Sequence, residues 1–186
     1  MTETHCMLDL ETLGLAPGCA IVSIGAVAFD PEGYIHDGPK VQFSRSIDVL
    51  TCLLSGLTVD PQTVAWWRTQ SEAARKALTQ EDTTPLARAL AAFSEWYAQL
   101  QFDSVWANGP AADIVWLEAA YRAIGERAPW SHRDVRCVRT VKALAGTKSG
   151  AFVGTPHDPV DDCINQIRDV QRAVRALRGR GAEDAS

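Results

Sequence analysis

The sequence has no apolar run long enough to cross a membrane. Its most apolar stretch, residues 20–29 (AIVSIGAVAF), is interrupted by a serine and falls short of the roughly 20 residues that a membrane-spanning helix needs. The first residues include an acid and no basic segment, so they do not resemble a secretory signal peptide. These absences predict a cytoplasmic protein with no membrane partner.

Paired cysteines and surplus positive charge are missing as well. The five cysteines are scattered without the C-x-x-C spacing of zinc or redox sites, and we interpret them as reduced residues of the core. The formal net charge of −5 excludes a surface coated with basic residues for long-range binding to duplex nucleic acid. It does not exclude a nuclease, because metal ions bound among carboxylates reverse the local field.

The composition and periodicity of the chain predict an α/β domain. Apolar residues make up 46% and charged residues 22% of the 186 residues, as in ordinary packed domains. Short apolar segments predict five strands, over residues 5–10, 21–29, 41–47, 104–107 and 134–138. Helical period and capping residues predict helices that begin at Asp60-Pro61 and at Ser71, and further helices over residues 86–100, 110–124, 139–145 and 160–177.

The order of these elements predicts a mixed five-stranded sheet with helices on both faces. We expect residues 1–178 to form this single domain and residues 179–186 to form a disordered polar tail. The glycine-rich residues 146–156 are predicted to form a loop, which could move as a lid over a neighbouring site.

Two acids lie on the first predicted strand. Asp9 and Glu11 are two residues apart, so both side chains leave the same face, roughly 6–7 Å apart along the strand. The apolar neighbours Cys6, Leu8 and Leu10 indicate a buried strand, where unpaired carboxylates cost several kcal/mol. The pair is therefore either an acidic metal site or a solvated strand edge.

A third acid, Asp113, lies in the apolar stripe of a predicted helix, in phase with Leu117, Ala120 and Ile124. Asp113 is also in the first turn, where a carboxylate stabilises a helix by about 0.3–1 kcal/mol. This residue alone leaves a metal ligand and a helix-stabilising acid equally open.

The segment His157-Asp158-Pro159-Val160-Asp161-Asp162 opens the final helix. Asp158 is a good N-cap, Pro159 suits the first helical position, and Asp161 falls at the third, as in a capping box. His157 and Asp162 have no such structural role, and a histidine near a carboxylate fits proton transfer. Because a solitary histidine before a helix is usually incidental, this assignment depends on the other acids.

Together these residues predict a metal site rich in oxygen ligands. Four carboxylates without clustered thiolates favour Mg²⁺ or Mn²⁺ over zinc. Two such ions roughly 3.5–4 Å apart can orient and activate a water for phosphoryl transfer. Because histidine side chains exchange protons near neutral pH, His157 could remove the proton of that water.

Three motifs in order carry a resemblance to a known family. The first is LDLETLG over residues 8–14, followed by IVSIGAV over residues 21–27. The second is WANG over residues 106–109, which leads to Asp113, and the third is His157 with Asp162 five residues later. With these motifs the chain resembles the DnaQ-like exonucleases of the ribonuclease H-like superfamily, in the branch with four acids and a catalytic histidine.

The resemblance implies a ribonuclease H-like fold and an exonuclease that releases nucleoside monophosphates from a 3′ end. It implies a general base at His157 and a site for two divalent cations, Mg²⁺ or Mn²⁺, at Asp9, Glu11, Asp113 and Asp162. It also implies that the terminal nucleotide contacts Leu10, Thr12, Leu13 and Asn108.

The substrate class is less constrained than the chemistry. Residues 63–78 are similar to a segment of small bacterial and phage exonucleases, including exoribonucleases that trim 3′ overhangs, and this favours RNA over DNA. Trp66 and Trp67 in that segment either stack on bases or belong to the core, and we expect at least one in the core. Basic residues before the third motif either follow phosphates or are solvated surface, and we expect solvated surface for most of them and for the arginines of the final helix.

Two alternatives to an exoribonuclease stay open. One is a DNA-directed exonuclease of the proofreading or trimming type, since the 2′-hydroxyl is recognised by only a few contacts. The other is a nucleic-acid-binding protein without catalysis, although the retention of all five site residues argues against it. The oligomeric state is open as well, with a homodimer among the options.

Overall fold

The computed structural model describes residues 3–33, 40–76 and 82–183. Residues 77–78 of the tryptophan segment and residues 184–186 of the polar tail lie outside these ranges. Five strands form one sheet in the order β3-β2-β1-β4-β5. They are β1 (His5–Thr12), β2 (Ile21–Phe29), β3 (Gln42–Ser46), β4 (Ser104–Ala107) and β5 (Val135–Cys137). Because β1, β2 and β3 pair antiparallel while β4 lies parallel to β1 and β5, the predicted mixed sheet is confirmed.

The helices follow the predicted starts closely. They are α1 (Val49–Leu54), α2 (Pro61–Trp67), α3 (Glu72–Arg75), α4 (Leu86–Leu100), α5 (Asp113–Ala123), α6 (Val138–Ala145) and α7 (Pro159–Glu183). Asp60 caps α2 by accepting from the Gln62 N–H, and Ser71 caps α3 by accepting from the Ala74 N–H. The short α1 was not predicted, and α7 continues to Glu183, past the predicted end at residue 177. Among the described helices, none is long and apolar enough to cross a membrane.

Alternate residues of β1 are buried on opposite faces of the sheet, in two separate hydrophobic cores. Leu8 and Leu10 belong to the larger core, which also contains Phe93 of α4 and Leu117 of α5. Met7 faces the other way and packs in the smaller core with residues of α6 and α7. Helices therefore cover both faces of the sheet, as the sequence predicted.

A close approach between β2 and the start of α7 fixes that helix above the sheet. A Cβ atom at Gly25 would lie 2.5 Å from the backbone carbon of Pro159, so only glycine permits this contact. Cys163, one turn into α7, is fully buried and its Sγ lies 3.5 Å from the backbone oxygen of Gly25. Since Gly25 pairs with Asp9 across the sheet, the first turn of α7 is held beside the acidic residues of β1.

Candidate active site

The acidic residues of β1 lie where this strand extends beyond its neighbour. Strand β4 pairs with β1 only from His5 to Met7, so Asp9 and Glu11 lie past the paired segment. The first residue of α5, Asp113, is buried at this end of the sheet and is 9% exposed. Topology thus brings an acid from α5 next to the two acids of β1, which are more than a hundred positions earlier in the sequence.

The start of α7 adds His157 and Asp162 to the same place. The backbone N–H of His157 donates to Asp162 Oδ2 at 2.9 Å, and His157 Nδ1 lies 3.6 Å from Glu11 Oε1. His157 has a φ of 66°, a left-handed conformation that non-glycine residues adopt at a cost and that is common at functional sites. The hydrogen bond that the His157 N–H donates to Asp162 holds the backbone of this strained turn in place.

The cap of α7 differs in one respect from the expected capping box. Asp158 accepts from the N–H groups of Val160 and Asp161, as an N-cap should. Asp161 does not return the bond to the cap residue, because its carboxylate accepts from the Thr155 N–H at 2.8 Å. The predicted reciprocal box is therefore wrong, and Asp161 instead anchors the loop that precedes His157.

Burial raises the pKa values of all four acids, and repulsion from the other carboxylates of the site raises those of Asp9 and Glu11 further. Burial, with the charges of Asp162 and Asp113, raises the pKa of Glu11 to about 8. Burial and the other three carboxylates raise the pKa of Asp9 well above its usual range. Burial raises the pKa of Asp113 to about 6, against N–H groups that favour its charged form, and burial also raises the pKa of Asp162. Protons therefore compete with any cation for this site.

These shifts predict an inverted dependence of stability on pH in the metal-free protein. Between its ordinary pKa of 4.5 and the folded value of about 8, Glu11 holds a proton that the unfolded chain has released. Rising pH then favours unfolding, and we expect the free energy of unfolding to fall by a few kcal/mol from about pH 5 to 8, at about 1.4 kcal/mol per pKa unit. Urea unfolding in chelator measures this.

Two controls make that measurement specific. Glu11→Gln should make the fall smaller, since the variant has no carboxyl group to titrate at this position, and the raised pKa values of the other acids should account for the part that stays. Saturating Mg²⁺ should remove most of the fall, because a cation replaces the protons. A wild-type stability that rises over the same range in chelator would contradict the assigned shifts.

Two cavities flank the acidic residues. The tryptophan pocket, of about 360 Å³, is lined by Leu10, Glu11, Thr12, Leu15, Trp66 and Trp116 among others. A second cavity on the other side is lined by Asn108 and Asp162 among others. Of the four residues expected to contact the terminal nucleotide, Leu10 and Thr12 line the first cavity and Asn108 lines the second.

Leu13 does not line either cavity and turns into the core. Its side chain is 9% exposed, its N–H donates to the backbone oxygen of Ala20, and its carbonyl accepts from the Asp60 N–H. Both backbone hydrogen-bonding groups are therefore used to close the turn after β1. A backbone contact between Leu13 and a nucleotide stays a prediction, but it would have to share groups that already have partners.

The two tryptophans of α2 have different environments. Trp67 is buried, and its indole N–H donates to the backbone oxygen of Thr12 at 2.9 Å, which ties α2 to the end of β1. Trp66 is 45% exposed at the rim of the tryptophan pocket. The rings of both lie against the His157 ring, with centroids 5.3 and 5.7 Å away. The expectation of at least one core tryptophan is confirmed by Trp67.

Comparison with known proteins identifies the family. The profile of the 3′-5′ exoribonuclease Rv2179c-like domain matches residues 4–174, which is nearly the whole chain. The chain belongs to this family. It is therefore a member of a 3′-5′ exonuclease family, as its motifs predicted.

One curated relative of this protein is the exodeoxyribonuclease of Enterobacteria phage T4. The two are 26% identical over an alignment of 214 residues that covers 96% of this chain and 92% of the phage protein. The family description and the name of this relative thus differ in the nucleic acid, since the first refers to RNA and the second to DNA.

Solved structures of exonucleases share the fold. The Mg²⁺- and Mn²⁺-bound form of Pop2p from S. pombe matches with a TM-score of 0.52 and 11% identity, over 90% of this chain and 81% of Pop2p. A product-bound exonuclease I matches with a TM-score of 0.58 and 13% identity, over 98% of this chain. The E. coli exonuclease I bound to single-stranded DNA and zinc matches with a TM-score of 0.53 and 14% identity, over 97% of this chain. This chain spans less than half of the two exonuclease I chains, 45% and 41%.

For an exonuclease of this family, the acidic residues have the right chemistry to hold divalent cations. Glu11, His157 and Asp162 each offer a ligand atom within 4.8 Å of the others. Asp9 and Asp113 interact electrostatically with this group strongly enough to shift pKa values. Carboxylate oxygens are the ligands that Mg²⁺ and Mn²⁺ prefer, and burial beside like charges leaves them in need of a counterion.

One residue that the sequence interpretation missed supports this site. Gln166 lies one turn after Asp162 on α7, and its side-chain N–H donates to Asp9 Oδ1 at 2.7 Å. The spacing of four residues on a helix places Gln166 on the same face as Asp162, which was the available signal. The partner could not be found from the sequence, because Asp9 lies 157 positions away.

Proposed function

We propose that the protein is a metal-dependent 3′-5′ exonuclease acting on RNA, with its active site at Asp9, Glu11, Asp113, His157 and Asp162. The observation that supports this is the convergence of four mutually repelling carboxylates and a histidine from β1, α5 and the start of α7. Burying several like charges together lowers the stability of the fold, and bound cations would offset this cost by neutralising the carboxylates.

The four carboxylates would hold two divalent cations. When bound, these cations would supply the positive charge that activates a water and stabilises the oxygens of the phosphate during displacement. Gln166 would keep the Asp9 carboxylate in one orientation through its 2.7 Å hydrogen bond. The N–H of His157 would do the same for Asp162.

His157 would act as the general base. Its side chain is 35% exposed, so a proton taken from water can leave to solvent. The Glu11 carboxylate, 3.6 Å from Nδ1, would stabilise the imidazolium formed in that step. The oxygen of the water would bond to phosphorus while the bond between phosphorus and the 3′ oxygen of the preceding nucleotide breaks. That 3′ oxygen would take up a proton from solvent, and the terminal nucleotide would leave as a 5′-monophosphate.

The tryptophan pocket would hold the base of the terminal nucleotide. It adjoins Glu11 and is mainly apolar, with Leu10, Leu15 and the partly exposed Trp66 among its lining. A planar base gains about 1–3 kcal/mol from stacking on an aromatic ring, whatever its identity. This pocket therefore suits the removal of nucleotides without strong sequence preference.

The choice of RNA follows the description of the family that covers most of the chain. The second candidate is a DNA-directed exonuclease, which the 26% identical phage exodeoxyribonuclease favours. The two candidates share every residue named above and differ only in the sugar of the substrate.

A substrate panel tests the proposal. Single-stranded RNA, single-stranded DNA and duplexes with 3′ overhangs, each labelled at the 5′ end, would be incubated with Mg²⁺, Mn²⁺ or chelator. We expect stepwise shortening from the 3′ end with either metal, no cleavage in chelator, and faster cleavage of RNA. Circular single strands are the control and should stay intact. Cleavage of circles or cleavage in chelator would overturn the proposal, while faster cleavage of DNA would select the second candidate.

A further inference from the structure

The cavity on the Asp162 side of the active site differs in charge from the tryptophan pocket. It has a volume of about 230 Å³ and joins the acidic residues to cationic side chains of α6 and α7. We call it the basic groove and define it by Asn108, Lys142, Asn165, Gln166, Arg168 and Arg172. Its lining combines positive charges with amide groups, which suits a chain of phosphates better than an apolar base.

A buried carboxylate, that of Asp169, holds two cationic side chains of the basic groove in place. Asp169 is 9% exposed and accepts hydrogen bonds from Lys142 Nζ at 2.6 Å and from Arg172 Nη1 at 2.8 Å. It also accepts from the Ser149 hydroxyl and the Gly150 N–H, which hold the glycine-rich loop against α7. Lys142 and Arg172 are therefore positioned before any ligand arrives, which lowers the entropy cost of binding.

The basic groove has more positive charge than the Asp169 carboxylate neutralises. Lys142 and Arg172 share the single carboxylate of Asp169, so one unit of positive charge is left over. Arg168 is exposed and forms no ion pair within the described part of the chain. The basic groove therefore has a local surplus of positive charge beside the active site, although the formal net charge of the protein is −5.

We propose that the basic groove binds the phosphates of the single strand on the 5′ side of the scissile bond. This rests on the proposed function, in which the terminal base occupies the tryptophan pocket and the scissile phosphate lies at the acids between the two cavities. A strand that leaves on the side of Asp162 enters the basic groove, because Asp162 is part of the lining of that cavity. This assigns a binding role to Arg168 and Arg172, which the sequence indicated as ordinary helix surface.

The spacing along α7 fits several nucleotides. At 1.5 Å per helical residue, Arg168 lies about 9 Å and Arg172 about 15 Å from Asp162 along the helix axis. Stacked nucleotides advance about 3.4 Å each, so these arginines would reach phosphates about three and four nucleotides upstream. A dinucleotide, which has only the scissile phosphate, would not reach either of them.

Arg168→Gln tests the proposal, with Arg88→Gln as the matched control. Arg88 is an exposed arginine of α4, which packs in the core on the other face of the sheet, so both variants lose one surface charge. Turnover of a dinucleotide and of an octanucleotide with the same 3′ end would be compared. We expect Arg168→Gln to raise KM for the octanucleotide about three- to tenfold, the scale of one charged contact, and to leave the dinucleotide KM unchanged. Arg168→Lys should bring the octanucleotide KM most of the way back to the wild-type value. Arg88→Gln should leave the KM of both substrates unchanged.

Binding of a fluorescent octanucleotide in chelator gives a readout that does not require catalysis. Arg168→Gln should weaken this binding by a similar factor and reduce the slope of log affinity against log salt by about 0.7, the value for one phosphate contact on a single strand. An unchanged octanucleotide KM and affinity would overturn the basic groove while leaving the proposed function in place. An equal rise of KM for the dinucleotide would also overturn the basic groove, since Arg168 would then affect binding at the acidic residues instead of upstream of them. Absence of cleavage by the wild type, with binding that still depends on Arg168, would overturn only the proposed function.

Discussion

Asp9→Asn should abolish nuclease activity and leave the fold intact. We expect kcat to fall by about 10³-fold or more, on the scale seen when a group that stabilises transition-state charge is removed. The variant keeps the shape of the side chain, and an amide oxygen can still accept the hydrogen bond from Gln166. Because burial and three other carboxylates oppose the charge of Asp9, the metal-free variant should melt at the same temperature as the wild type or higher.

The increase in melting temperature on adding Mg²⁺ separates a metal ligand from a structural acid. The wild type should be stabilised by Mg²⁺, since a ligand that binds only the folded state raises its stability. Asp9→Asn should lose most of this increase. The control is Glu95→Gln, an exposed position on α4 with the same change of charge, which should keep both activity and the Mg²⁺ effect. An Asp9→Asn protein that unfolds in chelator would show that Asp9 is needed for the fold instead.

His157→Ala should lower kcat by about 10²–10⁴-fold, the usual contribution of a positioned general base. Stabilisation by Mg²⁺ should persist, because the four carboxylates remain. Alanine is strained at the φ of 66° that His157 adopts, so His157→Asn is the better matched variant, since asparagine tolerates the left-handed region. Steady-state kinetics and thermal melts of both variants measure the two effects separately.

Three outcomes distinguish the roles open to this histidine. Equal loss of rate in both variants with the Mg²⁺ effect intact supports a general base. Loss of the Mg²⁺ effect would make His157 a metal ligand, which its place within 4.8 Å of Glu11 and Asp162 ligand atoms permits. An unchanged rate would remove it from the chemistry. His132→Ala, at an exposed residue of the short helical turn His132–Asp134, is the control and should not change the rate.

Local patterns predicted the parts of this fold that local forces determine. Alternation and apolar content located all five strands, because β1, β2 and β4 are almost wholly buried and Phe43 of β3 packs in the core, although the short β5 is only partly buried. The caps at Asp60, Ser71 and Asp158 were found because an N-cap satisfies N–H groups only two or three positions later. The extra length of β1, to Thr12, depends instead on pairing with β2 and could not be read from its own residues.

The features that the sequence did not predict depend on contacts between distant parts of the chain. Asp161 was expected to complete its own cap, but the loop before α7 passes close enough for Thr155 to donate to it. At least one of Trp66 and Trp67 was expected in the core, but the sequence could not show which one or name its partner, because Thr12 approaches Trp67 only after α2 packs against β1. Arg172 was expected on the solvated surface, as were most of the basic residues before the third motif, which include Lys142. The buried Asp169 that pairs with both Lys142 and Arg172 is recognisable only in the folded chain.

The metal site can be tested directly by a crystal structure of the protein grown with Mn²⁺ and measured by anomalous scattering at the manganese edge. We expect two manganese ions roughly 3.5–4 Å apart, ligated by carboxylate oxygens of Asp9, Glu11, Asp113 and Asp162. An acidic site without manganese at saturating Mn²⁺, or manganese bound only elsewhere on the molecule, would contradict the proposed active site.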